Sequence, residues 1–341
     1  MRVVLVGGGV QPIPPTGYGG VERFLDDLRH ALEADGIEVV VLNRVRHRRT
    51  RDEFPFALEV PRMLRRERFD VVHTHTPVVA NRLALSRIPF VYTSHSRHWY
   101  YRERLSHRWG YWLERRAVRR ARVTVALTEP LARTMRAAVP TPGPLPIEVI
   151  PIGVDPGAFR PAWTARTGRH VLGVGIVLPF KRWHLAAAAL RGTGLSLRIA
   201  GPTPWAEYAD RVRASGDGVE LLGEVDEGTL RRLYAESDLL VHPSGVELLP
   251  GAVLQGLAAA LPVVGGPALE GIVDDGRTGG VVPDRDERTF VGGLRSRMVA
   301  LAGDDRLRRS WGEAARAVAL ERFAWPRIVQ AHRAVYRRAT G

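Results

Sequence analysis

The sequence predicts an α/β protein of two doubly wound, Rossmann-like domains facing a cleft. Three observations carry that reading. Short apolar runs alternate with helical patterns in two successive series along the 341 residues. The runs are continuous rather than alternating, as parallel strands buried on both faces require. A passage rich in proline and glycine, 139–161, separates the series and reads as a linker.

The first series opens with RVVLVGG (2–8), an apolar run ending in glycines. Residues 19–36 follow with helical spacing. Val21, Phe24, Leu25, Leu28 and Leu32 share one face, and Gly36 ends the run. IEVVVLN (37–43) completes a β-α-β opening, and DVVHTH (70–75), PFVYTSH (89–95) and RVTVALT (122–128) read as further strands, with a helix over 105–121. The second series has strands at 171–177, 195–201, 219–223, 239–244 and 262–266, and a weaker one at 279–283. Helices are expected near 205–215, 227–236 and 251–260, with a last one from Trp325 to Arg338. In such sheets ligands bind outside the carboxyl ends of the strands.

Composition narrows the function. The chain has no cysteine, which excludes disulfides and thiolate metal sites. No apolar run reaches about 18 residues, so no membrane-spanning helix is expected. MRVVLVGGG reads directly as a strand, without a signal sequence before it, so the expected location is cytoplasmic. The net charge of +14 is concentrated in residues 1–160, which carry +10 of it. A genome-wide preference for arginine, attraction to an anionic membrane face or substrate, and nucleic-acid binding all fit that excess. No nucleic-acid module is visible and the basic residues are scattered, so no nucleic-acid partner is expected.

Two local patterns bear on ligands. The first strand runs into GGGVQPIPPTGYGG, where Gly7 and Gly9 imitate a dinucleotide fingerprint. Proline at position 12 and Asn43, instead of an acid, at the end of the second strand argue against NAD. Gly19 and Gly20 open the first helix and leave its N–H groups accessible to an anion. Lys181, in LPFKRW, is the only lysine in the chain.

The stretch from VELLGEV (219–225) through VELLPGAVLQG to GGVV resembles the donor domain of the GT-B glycosyltransferases, in particular the retaining family GT4. The resemblance extends to YGGVERFLDDLRHAL, DVVHTHTP, VYTSHS, VIPIGVDPGAFRP and ERFAWPRIVQAHRAVYRR, and so covers nearly the whole chain. It implies an acceptor-binding domain over 1–150, a linker over 151–161 and a donor-binding domain over 162–324. The helix 325–341 is expected to pack back on the first domain.

Site residues follow from the same resemblance. The family's Glu-x7-Glu motif reads Glu247…Gln255 here. Glu247 is expected on the hydroxyls of the transferred sugar beside the amides of Leu248 and Leu249, and Gln255 on the ribose. A glutamine lacks the carboxylate's charge-assisted bonds, which would weaken that grip. The diphosphate pair of arginine and lysine reads Ile176 and Lys181, so the arginine is missing and the adjacent Arg182 is its candidate substitute. His95 matches the histidine beside the sugar. His75 and Tyr18 are acceptor-side candidates, and Gly223, Val225 and Glu270 fall on the donor side.

These positions imply catalytic roles for His95, Lys181 and Glu247. They point to a nucleoside-diphosphate sugar, with UDP or GDP as its carrier, and to no cofactor. Asp284-Arg285-Asp286 imitates a metal motif of another transferase class, but its setting before a helix reads as a turn and N-cap, so no metal is expected. The acceptor is expected to be a small natural product or metabolite, or else a lipid-linked molecule at the membrane. The basic, aromatic stretch 96–122 would then supply peripheral contact with the inner membrane face. A sugar-nucleotide epimerase and a non-catalytic protein are the remaining alternatives.

Overall fold

The computed structural model describes residues 1–15, 19–45, 53–101 and 103–340. The chain divides into two compact units, Met1–Gly153 with Trp325–Gly341, and Val154–Ala324.

The first unit runs β1 (Arg2–Val6), α1 (Gly20–Ala34), β2 (Glu38–Leu42), α2 (Glu53–Leu64), β3 (Val71–Thr74), α3 (Pro77–Leu85), β4 (Val91–Thr93), α4 (Leu105–Arg120), β5 (Val123–Ala126), α5 (Glu129–Ala138) and β6 (Ile147–Val149). Its parallel sheet has the order β2-β1-β3-β4-β5-β6. The strands are buried because helices cover both faces, which explains their unbroken apolar character. Helix α1 buries Phe24, Leu25, Leu28 and Leu32 and ends where Gly36 takes φ +78°.

One expectation needs correction here. The passage 139–161 is not linker throughout, because Ile147–Val149 forms the sheet-edge strand β6. The amide of Thr124 donates to the carbonyl of Pro146, so a proline that cannot itself donate still starts an edge pairing.

The second unit runs β7 (His170–Val174), α6 (Trp183–Leu190), β8 (Ser196–Ala200), α7 (Ala206–Ser215), β9 (Val219–Gly223), α8 (Glu227–Glu236), β10 (Leu239–His242), α9 (Gly251–Ala258), β11 (Val263–Gly265), β12 (Gly279–Val281), α10 (Glu287–Gly303) and α11 (Asp305–Val318). The parallel order is β12-β11-β10-β7-β8-β9. Strand β7 is therefore flanked by β8 on one side and β10 on the other, and the winding reverses between β7 and β10. That reversal is where open α/β sheets hold ligands. Buried Trp183, Tyr208 and Phe290 fill the core with the aliphatic residues of the strands.

Helix α12 (Trp325–Thr340) follows the second unit in sequence but belongs to the first. Its Ile328, Val329, Val335 and Tyr336 share a buried cluster with Val3, Leu5, Leu25 and Val91. Arg333 is ion-paired with Asp35 at 2.5 Å and Arg338 with Glu148 at 2.8 Å.

Candidate active site

The two loops that leave β7 and β10 bring Lys181 and Glu247 together. After β7 the chain turns at Gly175, φ +143°, and closes a single 3-10 turn, Pro179–Lys181. The indole of the buried Trp183 donates to the carbonyl of Ile176 at 3.0 Å and pins that turn from below. Because β10 pairs with β7, its following loop lies alongside. The Lys181 ammonium then donates to the Glu247 carboxylate at 2.7 Å. Both side chains are largely buried, at 8% and 16% exposure.

The electrostatics follow from that contact. Burial works to raise the Glu247 carboxyl, but the Lys181 ammonium, with His242 beside it, outweighs burial and holds it below the ordinary carboxylate range. His242, at the end of β10, has Nε2 3.9 Å from the same carboxylate oxygen. Burial, with the Lys181 ammonium adding to it, lowers its pKa to about 3. The cluster at neutral pH is thus an ammonium, a carboxylate and a neutral imidazole. Sequence reading passed over His242, whose only signal was its place at the end of a buried strand.

Arg182 is adjacent in the chain but turns elsewhere. It takes a left-handed conformation, φ 59°, and its guanidinium forms a two-point bond to Asp284 at 2.5 and 2.9 Å. It also lies over the Phe290 ring at 4.5 Å. The pairing holds the Asp284 carboxyl below its ordinary range. Gly245 leaves room for it, since a Cβ there would meet Arg182 Nη1 at 3.1 Å. Asp286 caps α10 by accepting from the Thr289 amide at 2.9 Å. Among the described residues no group of three His, Cys, Asp or Glu side chains could hold a metal ion.

The remaining donor-side residues belong to the same unit, on the loop after β10, on α9 and on the loops after β9 and β11. Leu248 is half-buried and Leu249 buried, beside Glu247, and Gln255 is half-buried on α9. Gly223 ends β9 at φ +69°, and its carbonyl accepts from the Gly201 amide at 2.8 Å, with Val225 half-buried just beyond. Glu270 is exposed after a short turn, and its amide donates to the Pro267 carbonyl.

In the first unit, Gly19 is the N-cap residue of α1 and Gly20 its first residue, with no side chain capping the helix. The Gln11 amide oxygen and the Glu22 carboxylate crowd Gly19, where a Cβ would stand 2.9 and 3.1 Å from them. The sequence pattern hid that fronting carboxylate. Asn43 fixes the loop after β1, accepting from the Gly9 amide at 2.8 Å and donating to the Gln11 carbonyl at 2.7 Å. His75 and His95 are hydrogen-bonded at 3.1 Å just past β3 and β4. Burial lowers the pKa of His95 to about 4. Tyr18 lies outside the described residues.

Two family models match in chain order. Glycosyltransferase Family 4 matches residues 18–158, and Glycosyl transferases group 1 matches residues 176–298. An alpha-maltose-1-phosphate synthase from Mycobacterium tuberculosis is 30% identical over 307 residues, covering 79% of either chain. A D-inositol 3-phosphate glycosyltransferase from Kineococcus radiotolerans is 29% identical over 236 residues, 58% of this chain and 52% of that protein. Among solved structures, a sucrose-phosphate synthase from Thermosynechococcus elongatus shares the fold with TM-score 0.82 at 19% identity, covering 98% of each chain. Anabaena HepE, in complex with UDP and glucose, does so with TM-score 0.75 at 18% identity, covering 98% of this chain and 99% of its own. Two parallel six-stranded sheets, family matches in each half and that 30% relative agree: the chain is a glycosyltransferase of the GT-B fold and belongs to glycosyltransferase family 4.

Proposed function

We propose that the protein moves a sugar from a nucleoside-diphosphate sugar to a hydroxyl of a small natural product or metabolite, with retention at the anomeric carbon and without a metal ion. The observation that carries this reading is the buried Lys181–Glu247 pair at the switch point between β7 and β10. As the bond from the anomeric carbon to the β-phosphate oxygen breaks, negative charge collects on that oxygen. An ammonium fixed in place beforehand stabilises that charge more than it stabilises the intact donor. The acceptor oxygen attacks from the face the phosphate leaves, and its proton passes to the departing phosphate oxygen. No side chain forms a covalent bond.

In this reading Lys181 faces the diphosphate and Glu247 the sugar hydroxyls, so donor binding transfers part of the ammonium's contact from carboxylate to phosphate. Gln255 holds the ribose. Within the first unit, the uncapped amides at Gly19 and Gly20 suit an anion and the His95 imidazole suits a sugar hydroxyl. Asp284 is committed to Arg182 and Asp286 to α10, which leaves Lys181 as the cation. UDP is the first choice of carrier, on the strength of the Anabaena neighbour's complex, and GDP the second. Relatives named for maltose 1-phosphate and inositol 3-phosphate support a small polar acceptor.

A thermal-shift panel of UDP, GDP and ADP, followed by incubation with the matching sugar nucleotide, tests the proposal. A bound nucleotide raises the melting temperature by mass action. No shift with any of them would overturn it. Conversion of donor alone to an epimer would replace transfer by epimerisation.

One observation favours a lipid-linked acceptor as the second reading. On α4, Trp109 and Trp112 are 62% and 48% exposed and stack at 5.2 Å, with Arg116 over Trp112. Exposed aromatics beside arginines suit an anionic interface. Co-sedimentation with anionic vesicles that is lost in Trp109→Ala/Trp112→Ala would select it. No helix among the described residues is long and apolar enough to cross a membrane.

A further inference from the structure

Four imidazoles crowd the carboxyl ends of β3 and β4. The His73 ring lies 4.2 Å from that of His75 and 5.5 Å from that of His332 on α12, and the His75 ring lies 5.3 Å from that of His95. His73 is satisfied on both nitrogens, by the Tyr336 hydroxyl at 2.9 Å and the Thr93 hydroxyl at 2.7 Å. His75 is satisfied on one only. Its Nδ1 meets His95 Nε2 at 3.1 Å, while its Nε2 is buried without a hydrogen-bond partner among the described residues. Phe24 packs against both rings, 5.7 Å from His75 and 5.1 Å from His95, which restricts their rotation.

That arrangement selects where the protons sit. Burial favours the neutral form of both rings, so the link between them holds one proton. If His95 donated, His75 would carry its own proton on Nε2, stranding a buried N–H with no acceptor. If His75 donates from Nδ1, its Nε2 is only a bare lone pair. Orphaned donors are the rarer of the two in folded proteins. We infer that His75 holds His95 in the tautomer protonated on Nδ1, so that His95 is a hydrogen-bond donor through Nδ1 and not a general base.

His75 is then a positioning residue, acting through His95. It was expected on the acceptor side, and this assigns it a different task. The inference about the tautomer stands on the hydrogen-bond geometry and the burial of the two rings, while its consequence for catalysis rests on the proposed function. A donor nitrogen suits a sugar hydroxyl or carbonyl acceptor, and it fits a reaction in which the leaving phosphate takes the acceptor's proton.

The test uses the full chain with 15N-labelled histidine and long-range 1H–15N correlation spectra. The His95 signals are identified by their loss in His95→Gln. The expected result is an Nδ1–H, Nε2-bare pattern for His95 in the unsubstituted protein. A shift toward Nε2–H is expected in His75→Leu, with partial return in His75→Gln, whose amide can donate. An Nε2–H pattern in the unsubstituted protein overturns the inference, even where the variants do not fold. So does a pattern unchanged in folded His75→Leu. In kinetics, His75→Leu should lose roughly ten- to a hundredfold in kcat/KM, the usual cost of removing a partner that orients an imidazole. An Nδ1–H pattern in a protein that turns over no sugar nucleotide would sink the functional reading and leave the tautomer standing.

Discussion

Lys181 and Glu247 stand 66 residues apart in the chain and 2.7 Å apart in space. Each is the other's counter-charge on the loops that follow two paired strands, and each would be a buried, uncompensated ion alone. Lys181→Met should therefore cost about 3 kcal/mol of stability, the scale for breaking a buried pair. Lys181→Met/Glu247→Leu should recover most of that loss in urea titrations. Calorimetry with the nucleoside diphosphate separates stability from function, because both variants should lose the affinity. Since the carboxyl of Glu247 is held below its ordinary range, its share of stability is present above about pH 4.3 and lost as pH falls through the folded value.

Arg182 is expected to contribute little to that affinity, because Asp284 already occupies its guanidinium. Arg182→Ala should weaken nucleoside-diphosphate binding by less than about fivefold, within the range of a partly exposed ion pair. Asp284→Asn releases the guanidinium and should tighten binding, more so at low salt. Large loss in Arg182→Ala would show that donor binding breaks the Asp284 bond and recruits the arginine after all.

The loop that carries Lys181 depends on a glycine in another strand's loop. At Gly201, φ is +151°, and a Cβ there would lie 2.3 Å from the carbonyl oxygen of Gly175. Gly201→Ala should cost about 1–3 kcal/mol and lower nucleotide affinity together with it. Gly292, in the exposed part of α10 with open space around its Cβ, is the control. Gly292→Ala should add about 0.5–1 kcal/mol and leave affinity alone. Equal effects of the two substitutions in thermal melts would refute the argument.

Acid should weaken the first unit before neutral conditions are far behind. Burial keeps His73, His75, His95 and His332 uncharged in the fold, whereas the unfolded chain protonates them near pH 6.5. Each withdraws about 1.4 kcal/mol per pH unit as pH falls below 6.5, until its folded value is reached. Glu114, buried and raised to about 7, works the other way, because the folded state holds its proton first. The four imidazoles outnumber the raised carboxyls of this unit, Glu114 with Glu22 and Glu53, so the midpoint of calorimetric unfolding should fall between pH 7 and 5. His332→Leu should flatten that dependence by one proton, and an unchanged slope would count against it.

The strands were legible because burial on both faces leaves an unbroken apolar signature, and Lys181 and Glu247 were legible because their positions match a family motif. Their pairing was not, since nothing local tells a lysine which carboxylate lies opposite. The fate of Arg182 was hidden for a further reason. Its direction depends on a left-handed backbone and on a partner 102 residues away. Strand β6 was masked by surrounding prolines, which dominate any local reading although its three residues, Ile147–Val149, need only one paired edge. His73, His75 and His95 were visible at strand ends, but His332 reaches them from a helix on the far side of the second unit's sequence.

That helix sets the order in which the molecule can be finished. Because α12 emerges only after the whole of Val154–Ala324, a growing chain leaves the apolar floor beneath Tyr336 open while the second unit is being made. At ordinary synthesis speeds that interval lasts roughly ten to thirty seconds. The first unit is begun first and closed last, and during translation it is the part that most needs protection from aggregation.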